Sequence, residues 1–441
     1  MSLTPMSTRK RRPNRDHARK LHRPSISDEV IEADLMALLT PAIDAQQSCY
    51  RQLGLRHRIL TLPLMMAAVL TLLWRQVPSV RELTRVLARE DLLWCKATAV
   101  SQSALSQRFL EFPSILFERV FFDLLPPLRQ RWSSRHHRPL PTSIAYAQQH
   151  FQRLWMADGS TLEALFRKLG SLQDLERAPL AGKMATVIDA VTRLPVHIWF
   201  CENPKASDTR FEPALLDVLS AHTLLILDRG FYHFQFFAQV MAVQAHFITR
   251  LKRNAAYERL HVFSETDDCK DYRIRLGGQR KSIPQLTLRL VQVRLGRTWY
   301  HYLTSVDDPQ QLPPFVVADL YRRRWRIEEA FSTVKRLLGL SYLWTGSLNG
   351  IKLQLWATWL FYAVLVDLAD AVADEMGVPF QQVSLEMLYR GLYHFTVAHH
   401  HGRAVDPVTY FAAPENQDLG VIKQRRKLPE TLNLQPFPKP T

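Results

Sequence analysis

Apolar and polar positions along this chain follow three rhythms. From Asp28 to about Leu128 the apolar residues recur at helical spacing. Leu35, Leu38 and Leu39 open one helix, and Leu60–Trp74 forms another. Two short helices follow near Ser79–Ala88 and Ser101–Phe109, with Ser79 and Ser101 where N-caps belong. The rhythm then changes to short apolar runs. Leu154–Ala157, Met184–Val191 and Pro195–Phe200 read as an antiparallel meander. Thr223–Leu227 (TLLIL) reads as a strand covered on both faces, and His246–Leu251 as one more. Helices are expected at Phe211–Ser220 and Phe234–Val243. Residues 252–315 alternate at strand spacing, in Tyr272–Leu276, Leu286–Val293 and Thr298–Thr304. Helical spacing returns in Tyr321–Leu340, Leu353–Ala373 and Val383–Leu392.

Within Tyr321–Leu340 the pattern predicts one helix, because Ile327, Phe331, Val334 and Leu338 make an apolar stripe. Beside it Tyr321, Arg324, Glu328 and Lys335 share a row. A carboxylate set between Arg and Lys, with Tyr at the end, could hold a divalent metal and grip phosphate oxygens. A solvated face of i,i+4 ion pairs would look the same. Geometry leaves the carboxylate open, since Glu329 lies on a comparable row with Arg322, Trp325 and Arg336. Two further acids end apolar strands and are followed by glycine: Asp158 in Asp158-Gly159-Ser160 and Asp228 in Asp228-Arg229-Gly230-Phe231. A glycine there leaves room for a ligand to approach the sheet, although Asp is also an ordinary strand-to-turn residue.

Charge narrows the partners. Lys+Arg total 57 against 41 Asp+Glu, a formal net charge of +16, so a polyanion such as nucleic acid is favoured over an anionic membrane. Arg9, Lys10, Arg11, Arg12, Arg15, Arg19, Lys20 and Arg23 crowd an arm with one acid, Asp16, which suits a DNA backbone or a solubilising tail. The basic N-terminus has no apolar h-region, so no secretory signal is expected. Cys49, Cys95, Cys201 and Cys269 lie far apart and read as reduced thiols of a cytoplasmic protein. The apolar runs Ile59–Trp74, broken by Pro63, and Trp356–Ala373, carrying Asp367 and Asp370, read as core helices and not membrane spans. His394, His399, His400 and His401 read as a polar loop, because three adjacent histidines cannot converge on one ion from a regular helix.

The spacing Tyr-x2-Arg-x3-Glu-x6-Lys, filled by Tyr321, Arg324, Glu328 and Lys335 within YRRRWRIEEAF and KRLLGL, resembles the signature of DDE transposases of the insertion sequence four family. The blocks DGS and LDRGF match that family in type and order. The resemblance implies Asp158, Asp228 and Glu328, not Glu329, as catalytic and metal-binding carboxylates. It implies Tyr321, Arg324 and Lys335 as phosphate contacts. Arg229, Trp299 and Tyr300 complete the candidate DNA contacts, with one of the two aromatics stacking on a flipped base or both packing the insertion's own core. The expected fold is mixed α/β and α+β: a ribonuclease-H-like catalytic core with a β-rich insertion, preceded by a helical DNA-binding domain and followed by C-terminal helices. The expected boundaries are a basic arm at 1–27, helical domain at 28–128, linker at 129–150 overlapping a Pro-rich basic stretch (126–142), core at 151–251, insertion at 252–315, Glu328 helix at 316–345, C-terminal helices at 346–412 and flexible tail at 413–441. Ser101–Phe109 would be the reading helix of a helix-turn-helix, with Gln102, Ser103, Ser106, Gln107 and Arg108 toward DNA.

Three carboxylates meeting at one point repel one another unless a cation joins them, and hard oxygen donors select magnesium, with manganese able to substitute. The resemblance implies two such ions, double-stranded DNA at transposon ends and target, a synaptic homodimer, and a nucleoid-associated bacterial enzyme that cuts DNA and joins the 3′-OH ends to a target. Two other functions share these features: a non-catalytic helix-turn-helix regulator, and a metal-dependent nuclease without strand transfer.

Overall fold

A computed structural model describes residues 28–422 apart from 78, 168–179, 279–282, 341 and 344–346. The basic arm and positions 423–441 of the expected tail lie outside the described residues. Among the described residues, seven helices come first: α1 (Glu29–Asp44), α2 (Gln47–Gln52), α3 (Leu62–Trp74), α4 (Val80–Leu87), α5 (Gln102–Glu111), α6 (Ser114–Ser133) and α7 (Thr142–Ala147). Asp28 starts α1 by accepting from the Val30 and Ile31 N–H groups, while Ser79 and Ser101 cap α4 and α5 as expected from sequence. The connection from α4 to α5 runs from Ala88 to Ser101 and contains a β-bridge between Leu92 and Cys95. That is much longer than the roughly 3–4-residue turn of a helix-turn-helix, so the two helices do not form that motif.

The linker also departs from expectation. Pro126 and Pro127 lie inside α6, which continues to Ser133. The basic residues after it are ion-paired rather than loose. Arg131 and Arg135 meet Asp367, and Arg135 and Arg138 meet Asp370, on the later helix Leu348–Glu375. Charge matching to a buried acidic stripe fixes the segment that enters the first strand.

The sheet follows: β1 (Arg153–Arg167), β2 (Leu180–Asp189) and β3 (Pro195–Cys201), then α8 (Glu212–Val218), β4 (Thr223–Leu227), α9 (Phe234–Ala242) and β5 (His246–Arg250). β1, β2 and β3 are antiparallel; β4 lies parallel to β1, and β5 parallel to β4. This is the ribonuclease-H-like arrangement expected from sequence. The insertion supplies β6 (Tyr257–Glu265), β7 (Cys269–Leu276), β8 (Leu286–Leu295) and β9 (Thr298–Thr304). β9 pairs antiparallel with β5, so these strands extend the central sheet in the order β3-β2-β1-β4-β5-β9-β8-β7-β6.

Strand alternation decides what each face carries. Leu154 and Met156 of β1 and Leu224 and Ile226 of β4 face the large helical core. Trp155, Ala157, Leu225 and Leu227 face a second core with α8 and α9. The acids at 158 and 228 continue the even-numbered series and therefore turn toward the helical side.

Three helical pieces then cover that side: α10 (Pro314–Arg323), α11 (Trp325–Ser332) and a π-turn at Thr333–Leu337 that ends before Gly339. The single helix expected here is broken at Arg324, where bonds tighten to i→i−3 (Arg324 N to Tyr321 O, 3.1 Å; Ile327 N to Arg324 O, 3.0 Å). A short β10 (Tyr342–Leu343) pairs with β1. The C-terminal helices are α12 (Leu348–Glu375), α13 (Leu385–His400) and α14 (Pro407–Ala412). α12 is long and apolar enough to cross a membrane, but 83% of its most apolar window is buried against the fold. His394, His399 and His400 lie within α13, not in a loop; His399 pairs with buried Asp28 at 3.1 Å and stacks on Phe395. Within the expected tail, residues 414–419 form a 3₁₀ turn packed beside α13 and α14. All four cysteines are free, as expected.

One buried ion pair ties the sheet extension to the catalytic side. Arg289 of β8 and Asp271 of β7, 0% and 1% exposed, pair through two hydrogen bonds of 2.7 and 2.5 Å, and Arg289 also donates to the Leu312 carbonyl just before α10. Arg289→Ala strands the Asp271 carboxylate in the core. It is expected to lower the unfolding free energy by ~3–5 kcal/mol in equilibrium urea titration; a loss below ~1 kcal/mol would contradict this assignment.

Candidate active site

β1 and β4 pair in register up to Ala157 opposite Leu227, so Asp158 and Asp228 are the next residues on two adjacent central strands. Asp228 leaves its strand as the N-cap of a 3₁₀ turn, its carboxylate accepting from the Gly230 N–H at 3.2 Å. Asp158 accepts from the Gly159 N–H at 2.8 Å. α11 lies against β1 and brings Glu328 over both.

The three acids meet on a single cation, the Arg324 guanidinium. Its Nη1 lies 2.6 Å from Asp158, and its Nη2 lies 3.4 Å from Asp228 and 2.8 Å from Glu328. The kink at Arg324 puts this side chain at the centre of the site. Its remaining donor, Nε, is buried without a partner. Burial disfavours the charged guanidinium, yet Asp158 and Asp228 outweigh it and hold its pKa above the ordinary value.

Three carboxylates against one guanidinium leave a local deficit of positive charge. Burial pushes the Asp158 pKa up to about 7; Arg324 and the Gly159 N–H act in the opposite direction, and the Asp228 and Glu328 charges add to the rise. The donor set is hard oxygen throughout, which fits magnesium or manganese. The guanidinium occupies the space between the three carboxylates. Among the described residues, the set of three potential ligands with all donor atoms within 4.8 Å is Asp28, His399 and His400. Two of the three, Asp28 and His399, are already engaged as a helix cap and ion pair.

Glu329, which shared a comparable row in sequence, is exposed and paired in a fork with Arg326, pointing away from the acids. Tyr321 is buried with its ring 5.4 Å from Tyr302, and burial pushes its phenol up to about 12. Lys335, reoriented by the π-turn, donates to the Thr161 carbonyl at 2.8 Å and so lies beside β1. Arg229 is exposed on the turn after Asp228. Tyr300 lies on the same face of β9 as Tyr302, under Arg250; Trp299 takes the opposite face, under Lys270.

Residues 177–364 match the family described as the transposase DDE domain. That stretch is similar to a transposase DDE domain. The curated protein named "Putative transposase y4zB" from Sinorhizobium fredii (strain NBRC 101917 / NGR234) is 28% identical over 150 residues, which span 32% of this chain and 41% of that protein. The match thus covers about two fifths of that relative's length. A cryo-EM structure of a piggyBac transposase synaptic complex with hairpin DNA aligns over 90% of this chain and 84% of that one, at 11% identity and a TM-score of 0.39, a likeness too loose to bear on function.

The site contains a fourth acid that the sequence pattern gave no reason to select. Asp208, in the turn before α8, pushes its carboxylate between Gly159 and Gly230 and pairs with Lys183 of β2. The two glycines leave space for Asp208, not for an incoming ligand. Their presence after both acids was the available signal, but nothing in sequence said what approaches them.

The raised pKa of Asp158 has a stability consequence. Its folded pKa lies above the unfolded value of 3.8, so the folded chain holds the proton more tightly. Stability from this group is present below about pH 4 and lost as pH rises toward 7. Without divalent metal, Asp158→Asn is expected to gain on the wild type by on the order of 2–4 kcal/mol between pH 4 and pH 8, read by urea unfolding. A pH-independent difference would contradict the assignment.

Proposed function

We propose that this protein is a cut-and-paste DNA transposase of the insertion sequence four type. The observation that carries the reading is the meeting of Asp158, Asp228 and Glu328 on the Arg324 guanidinium. These acids are distant in sequence and come from two strands and a helix. Magnesium held by them, as two ions with manganese able to substitute, supplies Lewis acidity for in-line displacement at a phosphodiester.

The chain's own residues do the rest. Asp158, whose carboxyl burial pushes up to about 7, gives up its proton as it takes a metal ion. Arg324 offers a planar set of donors that suits phosphate as well as carboxylate. Lys335 beside β1 and exposed Arg229 supply further charge for the strand being cut. Tyr321 remains protonated and can donate. Tyr300, on the site's face of β9, is better situated than Trp299 to stack on an unpaired base.

The N-terminal helices are the candidate end-binding region, with Gln102, Ser103 and Gln107 exposed on α5. The substrate is double-stranded DNA bearing terminal inverted repeats. Two copies would bring two ends together, in the bacterial cytoplasm near the nucleoid. An overall charge of +16 supports the polyanionic partner.

Glu328→Gln is expected to lower strand cleavage in magnesium by on the order of a thousandfold or more, with end binding in gel shift nearly unchanged. Cleavage at the wild-type rate would remove Glu328 from the site. A plasmid excision assay separates the alternatives: joined products for a transposase, cuts alone for a nuclease, neither for a regulator.

A further inference from the structure

Asp208 belongs to neither of the strands that carry the acids, yet it touches β1 at Gly159 and the turn after β4 at Gly230. A Cβ added to Gly159 would fall 2.0 Å from Asp208 Oδ1, and one added to Gly230 would fall 2.0 Å from Asp208 Oδ2. Each oxygen of one carboxylate is thus packed against one glycine. Neither glycine has positive φ, so the requirement at 159 and 230 is for space, not for a special backbone conformation. The N–H groups of these same glycines are the ones that Asp158 and Asp228 accept from.

The carboxylate is held from behind. Lys183 Nζ lies 2.7 Å from Asp208 Oδ1 and donates to the Ala206 carbonyl at 2.7 Å. Lys183 sits on β2 opposite Thr161, the residue whose carbonyl receives Lys335. The Asp208 side chain is 16% exposed, with its charge largely balanced by Lys183. The pair therefore adds shape more than net charge to the site.

We propose that Asp208, seated by Lys183, is a positioning residue that sets the spacing between Asp158 and Asp228. Its carboxylate is a wedge between the Asp158-Gly159 stretch of β1 and the Asp228-Gly230 turn, and it fixes how far apart two metal-binding carboxylates stand. It acts through those two backbone segments and is not itself a ligand. This rests on the reading of Asp158 and Asp228 as metal ligands.

The test is manganese binding to the full chain, read by the electron paramagnetic resonance signal of free Mn²⁺, with thermal unfolding alongside. Asp208→Ala is expected to weaken binding by about tenfold or more, and Asp208→Asn, which keeps the shape, by less. Gly159→Ala should also weaken binding by about tenfold, because its methyl group evicts the carboxylate. The double variant Gly159→Ala with Asp208→Ala should be no worse than Asp208→Ala alone, since the clash has gone. If Asp208→Ala does not fold, Asp208→Asn and Gly159→Ala carry the test. Wild-type manganese affinity in Asp208→Ala and Gly159→Ala, with binding lost in Asp228→Asn, overturns the positioning role alone. Wild-type affinity in Asp228→Asn as well overturns the metal reading and this proposal with it.

Discussion

One guanidinium among three carboxylates is the constraint on which the rest of this structure depends. Asp158, Asp228 and Glu328 sit close enough to share Arg324, and one positive charge cannot balance three negative ones. Burial pushes the Asp158 carboxyl up to about 7, and the Asp228 and Glu328 charges add to the rise. A site of this kind is strained toward taking up more positive charge. The buried Arg324 Nε that finds no partner points the same way: the guanidinium fits, but not completely.

Much of the fold works to create that convergence. Parallel pairing of β1 and β4 places two acids side by side, and strand parity turns both toward the helical face. The kink between α10 and α11 points Arg324 inward, and the π-turn carries Lys335 back to β1. The insertion contributes Tyr302 against Tyr321 because β9 joins the central sheet directly. The Pro-rich stretch before β1 is pinned by Arg135 and Arg138 to acids of α12, so the first strand enters from a fixed support.

Local signals were legible in sequence. Ser79 and Ser101 cap the helices they precede, and TLLIL is a fully buried strand. What could not be read was set by distant partners. Two prolines normally interrupt a helix, yet α6 runs through Pro126 and Pro127 as it packs on α12, with Phe121 5.4 Å from Trp356. Glu328 and Glu329 are equivalent by spacing; only Arg326, one turn away on the outer face, separates them. Asp208 carries no motif at all, and its meaning arises from two glycines brought to it by the sheet.

The most direct test of the central claim is to let a redox-active divalent ion report its own position. Fe²⁺ bound to the full chain, with ascorbate and peroxide, generates hydroxyl radicals that cut the backbone nearby. Fragment mapping should find cuts around residues 158, 228 and 328, all suppressed by excess Mg²⁺ and absent in Asp228→Asn. Cuts confined to the neighbourhood of Asp28 and His399, or none that magnesium suppresses, would contradict the account.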